Sequence, residues 1–179
     1  MKIKTILFTF FALFLCLNLQ AQAQETKKYF DLKSFVENQV ELLEKSQPSV
    51  EKNTVHNKET ESKTTNKIDW KKELRLFIDA DINKPILKDA YKITESSELI
   101  DYQALNQKSK VQNIHIEKVN GEVKKLFILY KEDNNLFGIE KKLTLDLIKN
   151  QLANYQIEIT QKIIFKEQDH YQVSGKIIF

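Results

Sequence analysis

From Lys88 to the end, the chain alternates between apolar and polar residues, and the alternating stretches are too closely spaced to leave room for helices. In "NYQIEITQKIIFKE" the odd positions Tyr155, Ile157, Ile159, Ile163 and Phe165 are apolar, and the even positions are mostly polar. "HYQVSGKIIF" puts Tyr171, Val173, Ile177 and Phe179 on one face, and "KKLTLDLIKN" does the same with Leu143, Leu145 and Leu147. A period of two is the pattern of a strand with one buried face. Further strands are expected at Ala90 to Thr94, Leu99 to Leu105, Val111 to Val119 and Val123 to Glu132. The connectors are short. Asn120-Gly121 suits a two-residue hairpin turn, in which both positions need positive φ. Asp133-Asn134-Asn135 and Gln168-Asp169 are further turns. Parallel neighbours need a crossover of a dozen or more residues, so this region must be an antiparallel meander. Six or seven strands are expected in it.

Before the meander, the period changes to that of a helix. In "KKYFDLKSFVENQVELLEKSQPS" an apolar stripe runs through Leu32, Phe35, Val36, Val40 and Leu43, with Asp31 as N-cap and Gln47-Pro48 as the stop. "DWKKELRLFIDADI" predicts a second helix, capped by Asp69, with Trp70, Leu74 and Phe77 on one face and Asn83-Lys84-Pro85 closing it. Residues 49–67 are polar between these two. Low hydrophobicity suits a flexible loop, whereas recurring threonines and a His56-Asn57-Lys58 turn suit a polar edge hairpin, toward which the composition leans. The expected fold class is α+β: two N-terminal helices packed on a curved antiparallel sheet.

The first residues read as a leader. Lys2 and Lys4 precede an apolar run from Ile6 to Leu17, too short for the roughly 20 residues that span a bilayer as a helix. Ala21-Gln22-Ala23 supplies an A-x-A cleavage pattern, so residues 1–23 are expected to be a signal peptide and 24–179 a single domain beginning at Gln24. The expected location is periplasmic or extracellular. A lipid anchor on the outer membrane is the alternative. It would require acylation of Cys16, whose preceding neighbour Leu15 is larger than a lipoprotein signal tolerates; membrane contact is expected only by that route. Cleavage at Gln24 leaves no cysteine and no disulfide, so the core alone must hold the domain.

Charge excludes one class of partner. The formal charge of +3 falls to +1 when Lys2 and Lys4 leave, and Arg75 is the one arginine among 28 basic residues. Bidentate phosphate and base-edge recognition relies on arginine, so no nucleic acid is expected. His56, His115 and His170 show no paired metal spacing, and His115 reads as a surface residue. "DADINK" from Asp79 lacks the glycine and distal glutamate of a calcium loop and reads as a helix end. Ser174 stands in no nucleophile elbow, and Gly175 beside it marks a bulge or close packing. No catalytic residue, metal or cofactor is expected.

At "KKYFDLKSFVENQVELLEK", "DWKKELRLFIDADINKP" and "QKIIFKEQDHYQVSGKI" the chain resembles a group of uncharacterised small exported proteins, many lipoprotein-like, of Gram-negative bacterial envelopes. The resemblance implies an anchoring cysteine just before "KYFDLK", where this chain has Gln24-Glu25-Thr26, and it implies no activity. The resulting expectation is a non-enzymatic binding or interaction module for an envelope protein. Its alternative is a carrier of lipid or another apolar small molecule in a cavity between sheet and helices. The expected apolar ligand or partner surface comprises Phe127, Leu129 and Tyr130 of the doubly apolar "LFILY", together with Trp70 if it is not a core anchor. An enzyme would need His115 or His170 to meet two carboxylates in one cleft.

Overall fold

A computed structural model describes residues 27–179; the leader, Cys16, Ala21, Ala23 and Gln24 lie outside the described residues. Asp31 caps α1 (Leu32–Ser46) by accepting a hydrogen bond from the Ser34 amide at 3.1 Å, and Gln47 ends the helix in the left-handed region with φ 46°. The chain then turns back into a hairpin, β1 (Ser49–His56) and β2 (Glu59–Thr65). Two short helices follow, α2 (Trp70–Glu73) and α3 (Arg75–Asp79), then a 3₁₀ turn at Pro85–Leu87. The meander is β3 (Tyr91–Glu95), β4 (Leu99–Ala104), β5 (Val111–Val119), β6 (Glu122–Asp133), β7 (Phe137–Ile148), β8 (Gln151–Ile163) and β9 (Asp169–Ile178).

All strands join one antiparallel sheet in the order β2-β1-β9-β8-β7-β6-β5-β4-β3. The expected count of six or seven strands is therefore corrected to nine, because residues 49–65 add a hairpin beyond β9. This hairpin carries so few apolar residues because it forms an edge. Val50 is its one fully buried side chain, and β2 buries none. The expected pair of helices is corrected as well. The second breaks at Leu74 into α2 and α3, with no proline or glycine at the break, while Glu73 is held by two partners from the sheet.

Those partners fix the helical layer. Glu73 accepts from the Tyr155 hydroxyl at 2.6 Å and from the Lys52 ammonium, tying α2 to β8 and β1. Trp70 packs edge-on to Tyr155, with ring centroids 6.3 Å apart. Trp70, Leu74, Phe77, Ala80 and Ile82 are buried against Leu126, Ile128, Leu143, Leu145 and Ile157 from the sheet. At the other end of the layer, Asn83 accepts from the Tyr29 amide at 3.0 Å and donates to the Phe30 carbonyl at 2.9 Å. Tyr29 stands edge-on to both Tyr91 and Tyr102. Gln39, the one buried polar residue among the described residues, donates to the Asn150 carbonyl and accepts from the Leu152 amide, which fastens α1 to the β7–β8 turn. Leaving such buried backbone groups unpaired costs about 1–3 kcal/mol each.

Gly175 resolves the choice between bulge and close packing. It pairs in register with Tyr155, and a Cβ there would fall inside the ring's van der Waals envelope. The ring is fully buried and held by Glu73 and Trp70, so it has nowhere to move. Gly175→Ala should cost about 1–3 kcal/mol of stability, read as a lower midpoint in urea denaturation; an unchanged midpoint would show that the contact is slack.

Candidate functional site

Strand alternation decides which predicted residues can act together. Leu126 and Ile128 face the helices, Tyr130 lies at the rim of that same face, and Phe127 and Leu129 point to the opposite face. There Phe127 lies between His115 and Thr144, and Leu129 between Asn113 and Lys142, in a predominantly polar array. The expected surface of Phe127, Leu129, Tyr130 and Trp70 is thus divided: two residues on the outer face, one on the inner rim, and Trp70 buried.

The histidines fall in two places. His115 Nδ1 lies 3.0 Å from Asp101 Oδ1, which also accepts from the Asn113 amide at 3.0 Å; its Nε2 lies 3.8 Å from Glu117. Two carboxylates do meet this histidine, but on the open outer face of the sheet, with Phe127 rather than a nucleophile across from it. His56 meets Asp169 at 2.9 Å in an open cleft of about 780 Å³ between the β1–β2 and β8–β9 turns. Asn57 donates to Asp169 at 2.8 Å and accepts from the His170 amide, so these groups lock two turns together. Hydrogen bonds from Asn57 and then His56 hold the Asp169 carboxyl below its ordinary range. Among the described residues, no three His, Cys, Asp or Glu side chains are placed to hold a metal ion.

The arrangement best suited to a ligand is a second cleft, of about 480 Å³, where the helical layer leaves the inner face of the sheet uncovered. Its floor is apolar: Leu76 and Leu87 from the helical side, and Tyr91, Val111, Tyr130 and Leu143 from β3, β5, β6 and β7. Lys84, Lys108, Lys110 and Lys141 surround it, against Asp79 and Asp81. Arg75 pairs with Asp79 at 3.4 Å, and Asp81 accepts from the Asn83 amide, so both carboxylates are engaged. Lys110 donates to Glu132 at 2.9 Å, and Glu132 accepts from the Tyr130 hydroxyl at 2.9 Å. Hydrogen bonds from Lys110 and then Tyr130 lower the Glu132 pKa. Burial and then Glu132 raise that of Tyr130. The Lys141 ammonium stands 4.5 Å from the centre of the Tyr130 ring, a cation–π contact. Neither Lys108 nor Lys141 forms an ion pair within 4.0 Å among the described residues, although Lys141 lies near enough to Glu132 to help lower its pKa.

Sequence reasoning missed these lysines, although Lys141 carried a signal. It shares its parity with Leu143, Leu145 and Leu147, where an inward residue is due. No protein-family model, curated protein or solved structure matches the chain.

Tyr91 makes the floor of this cleft sensitive to alkali. Its hydroxyl donates to the Val111 carbonyl at 2.9 Å, and burial, with Tyr29 nearby, raises its pKa from 10.0 to about 12. In that window the unfolded chain loses a proton that the folded protein keeps. The stabilisation is therefore complete below pH 10 and is lost as pH rises towards 12. Urea denaturation at stepped pH should show stability falling there, with Tyr91→Phe giving a slope shallower by about one proton; an unaltered slope in that variant would contradict the assignment.

Proposed function

We propose that this chain is an exported envelope protein that acts as a non-enzymatic binding module, and that the lysine-rimmed cleft takes a small amphipathic anion. The observation that carries this reading is the pairing of an apolar floor with four ammonium groups at a gap in an otherwise filled core. An apolar tail gains by leaving water for Leu76, Leu87, Val111 and Leu143, and an acidic head meets Lys108 and Lys141 without first displacing a carboxylate. The leader pattern in residues 1–23 and the resemblance to small exported envelope proteins support the location. A non-enzymatic role fits a site whose lysines can orient and hold an acidic head while its carboxylates, Asp79 and Asp81, are engaged by Arg75 and the Asn83 amide.

The carrier reading draws on the same cleft, which lies between sheet and helices as a carrier's cavity would. Its volume favours a short chain over a whole diacyl lipid, because the space behind it is occupied by Phe77, Leu126, Leu145 and Tyr155. A binding module for a single-chain amphiphile is therefore preferred.

Calorimetric titration with decanoate and with decanol separates head from tail. Decanoate should bind saturably and decanol at least about tenfold more weakly. The double variant Lys108→Ala/Lys141→Ala, which leaves the Lys110–Glu132–Tyr130 chain intact, should lose about tenfold in decanoate affinity, equivalent to ~1.4 kcal/mol. Equal binding of acid and alcohol, or an unaffected double variant, would remove the cleft as an anion site.

A further inference from the structure

In an antiparallel sheet alternate connections fall at the same end. At one end of this sheet lie the 3₁₀ turn before β3 and the β4–β5, β6–β7, β8–β9 and β1–β2 connections. Four of these five place a large apolar side chain in solvent: Ile86 is 91% exposed, Leu105 68%, Leu136 65% and Phe165 99%. The turns at the opposite end are built from Ser96-Ser97-Glu98, Asn120-Gly121 and Lys149-Asn150; of its exposed apolar residues, Val119, Ile148 and Ile178 belong to strands, and Phe179, 67% exposed, follows β9 rather than sitting in a turn. An apolar residue at the tip of one turn is ordinary; the same choice in four aligned turns is a pattern.

The tips are held in place. The Leu105 amide donates to the Ala90 carbonyl at 2.9 Å, and the Ile164 amide to the Leu136 carbonyl at 2.9 Å, so neighbouring loops are bonded through the apolar residues themselves. The Asn134 side chain accepts from the amides of Leu136 and Phe137. Phe165 sits at φ 63°, a conformation disfavoured for a bulky side chain, which here turns the ring fully outward.

We infer that this rim docks on the surface of an anionic phospholipid bilayer. Strands stand about 4.8 Å apart, so successive tips are about 10 Å apart and the row extends about 30 Å. Such spacing gives single apolar prongs with polar residues between them. A folded partner protein would be met by a continuous apolar patch, whereas a fluid interface accepts separate prongs. The residues between them are rich in lysine: Lys58, Lys84, Lys88, Lys108 and Lys166 belong to these connections, and all suit anionic headgroups. Several carboxylates at this end are engaged within the protein, Asp89 with Lys28, Asp169 with His56 and Glu132 with Lys110, while Glu59, Asp133 and Glu167 remain in the balance.

The start of the described chain points the same way. Lys27 and Lys28 lie beside Pro85 and Lys88, so the first described residues add two further lysines at this rim. The contact does not require Cys16; it shares Lys84 and Lys108 with the border of the cleft but none of the apolar residues of its floor.

Vesicle flotation tests this with the protein carrying its own N-terminus, shared by all variants. Wild type should float with phosphatidylglycerol-containing vesicles and about tenfold less with pure phosphatidylcholine, and binding should weaken as salt rises. Ile86→Ser/Phe165→Asn, in which asparagine suits the positive φ, should lose about tenfold or more in partitioning with unchanged circular dichroism. Val119→Ser, at the opposite end, should bind as wild type. A wild type that ignores anionic vesicles overturns the inference, including when the rim instead captures a protein. So does a double variant that floats like wild type. Decanoate affinity should be the same in Ile86→Ser/Phe165→Asn as in wild type, which keeps failure of the rim distinct from failure of the cleft.

Discussion

The pairing of β9 with β1 is the contact on which the rest depends. It joins Ser49–His56 to Tyr171–Ile178 in register along the whole of β1, and so closes the first strand against the last. With β2 beyond it at one edge and β3 at the other, the chain between them must cross the inner face of the sheet. That crossing supplies the second layer of the core. Trp70, Leu74, Phe77, Ala80 and Ile82 are buried because the route leaves them nowhere else to lie. The Tyr155–Glu73–Lys52 chain then sets the height at which the segment passes, drawing one partner each from β8, α2 and β1.

The crossing also creates the site. The layer descends onto β3 through a 3₁₀ turn and leaves the upper ends of β5, β6 and β7 without helical cover. Exposed strand ends would ordinarily carry polar side chains on both faces. Here the inner face keeps Val111, Tyr130 and Leu143 and surrounds them with lysines, so the gap is apolar below and cationic above. The loops bordering that gap include two of those with outward apolar tips, which places the cleft mouth and part of the rim together at one end of the sheet.

Much of the sheet was legible in local pattern. Period-two alternation and the Asn120-Gly121 turn located the meander, because each strand buries one face and each connector is a tight turn. Asp31 and Asp69 were readable as caps for the same kind of reason, since a carboxylate one residue before a helix has an amide to accept from. The count of nine strands was harder to see, because an edge hairpin needs almost no apolar residues and β1 finds its partner more than a hundred residues away. The site was least legible. "LFILY" looked like one apolar surface, yet alternation sends Phe127 and Leu129 away from Tyr130. Gln39 and Lys141 broke their apolar patterns at inward positions, and both proved to be where the interior meets something polar.

Hydrogen–deuterium exchange with and without phosphatidylglycerol-containing vesicles tests most directly whether the aligned connections of the β3–β9 meander form a single membrane-facing rim. Added vesicles should slow exchange in peptides covering residues 84–90, 104–110, 134–137 and 163–167 together, and leave the turns at 96–98, 120–121 and 149–150 unchanged. Protection at those opposite turns, over the outer face around His115, or at none of the loops would contradict it.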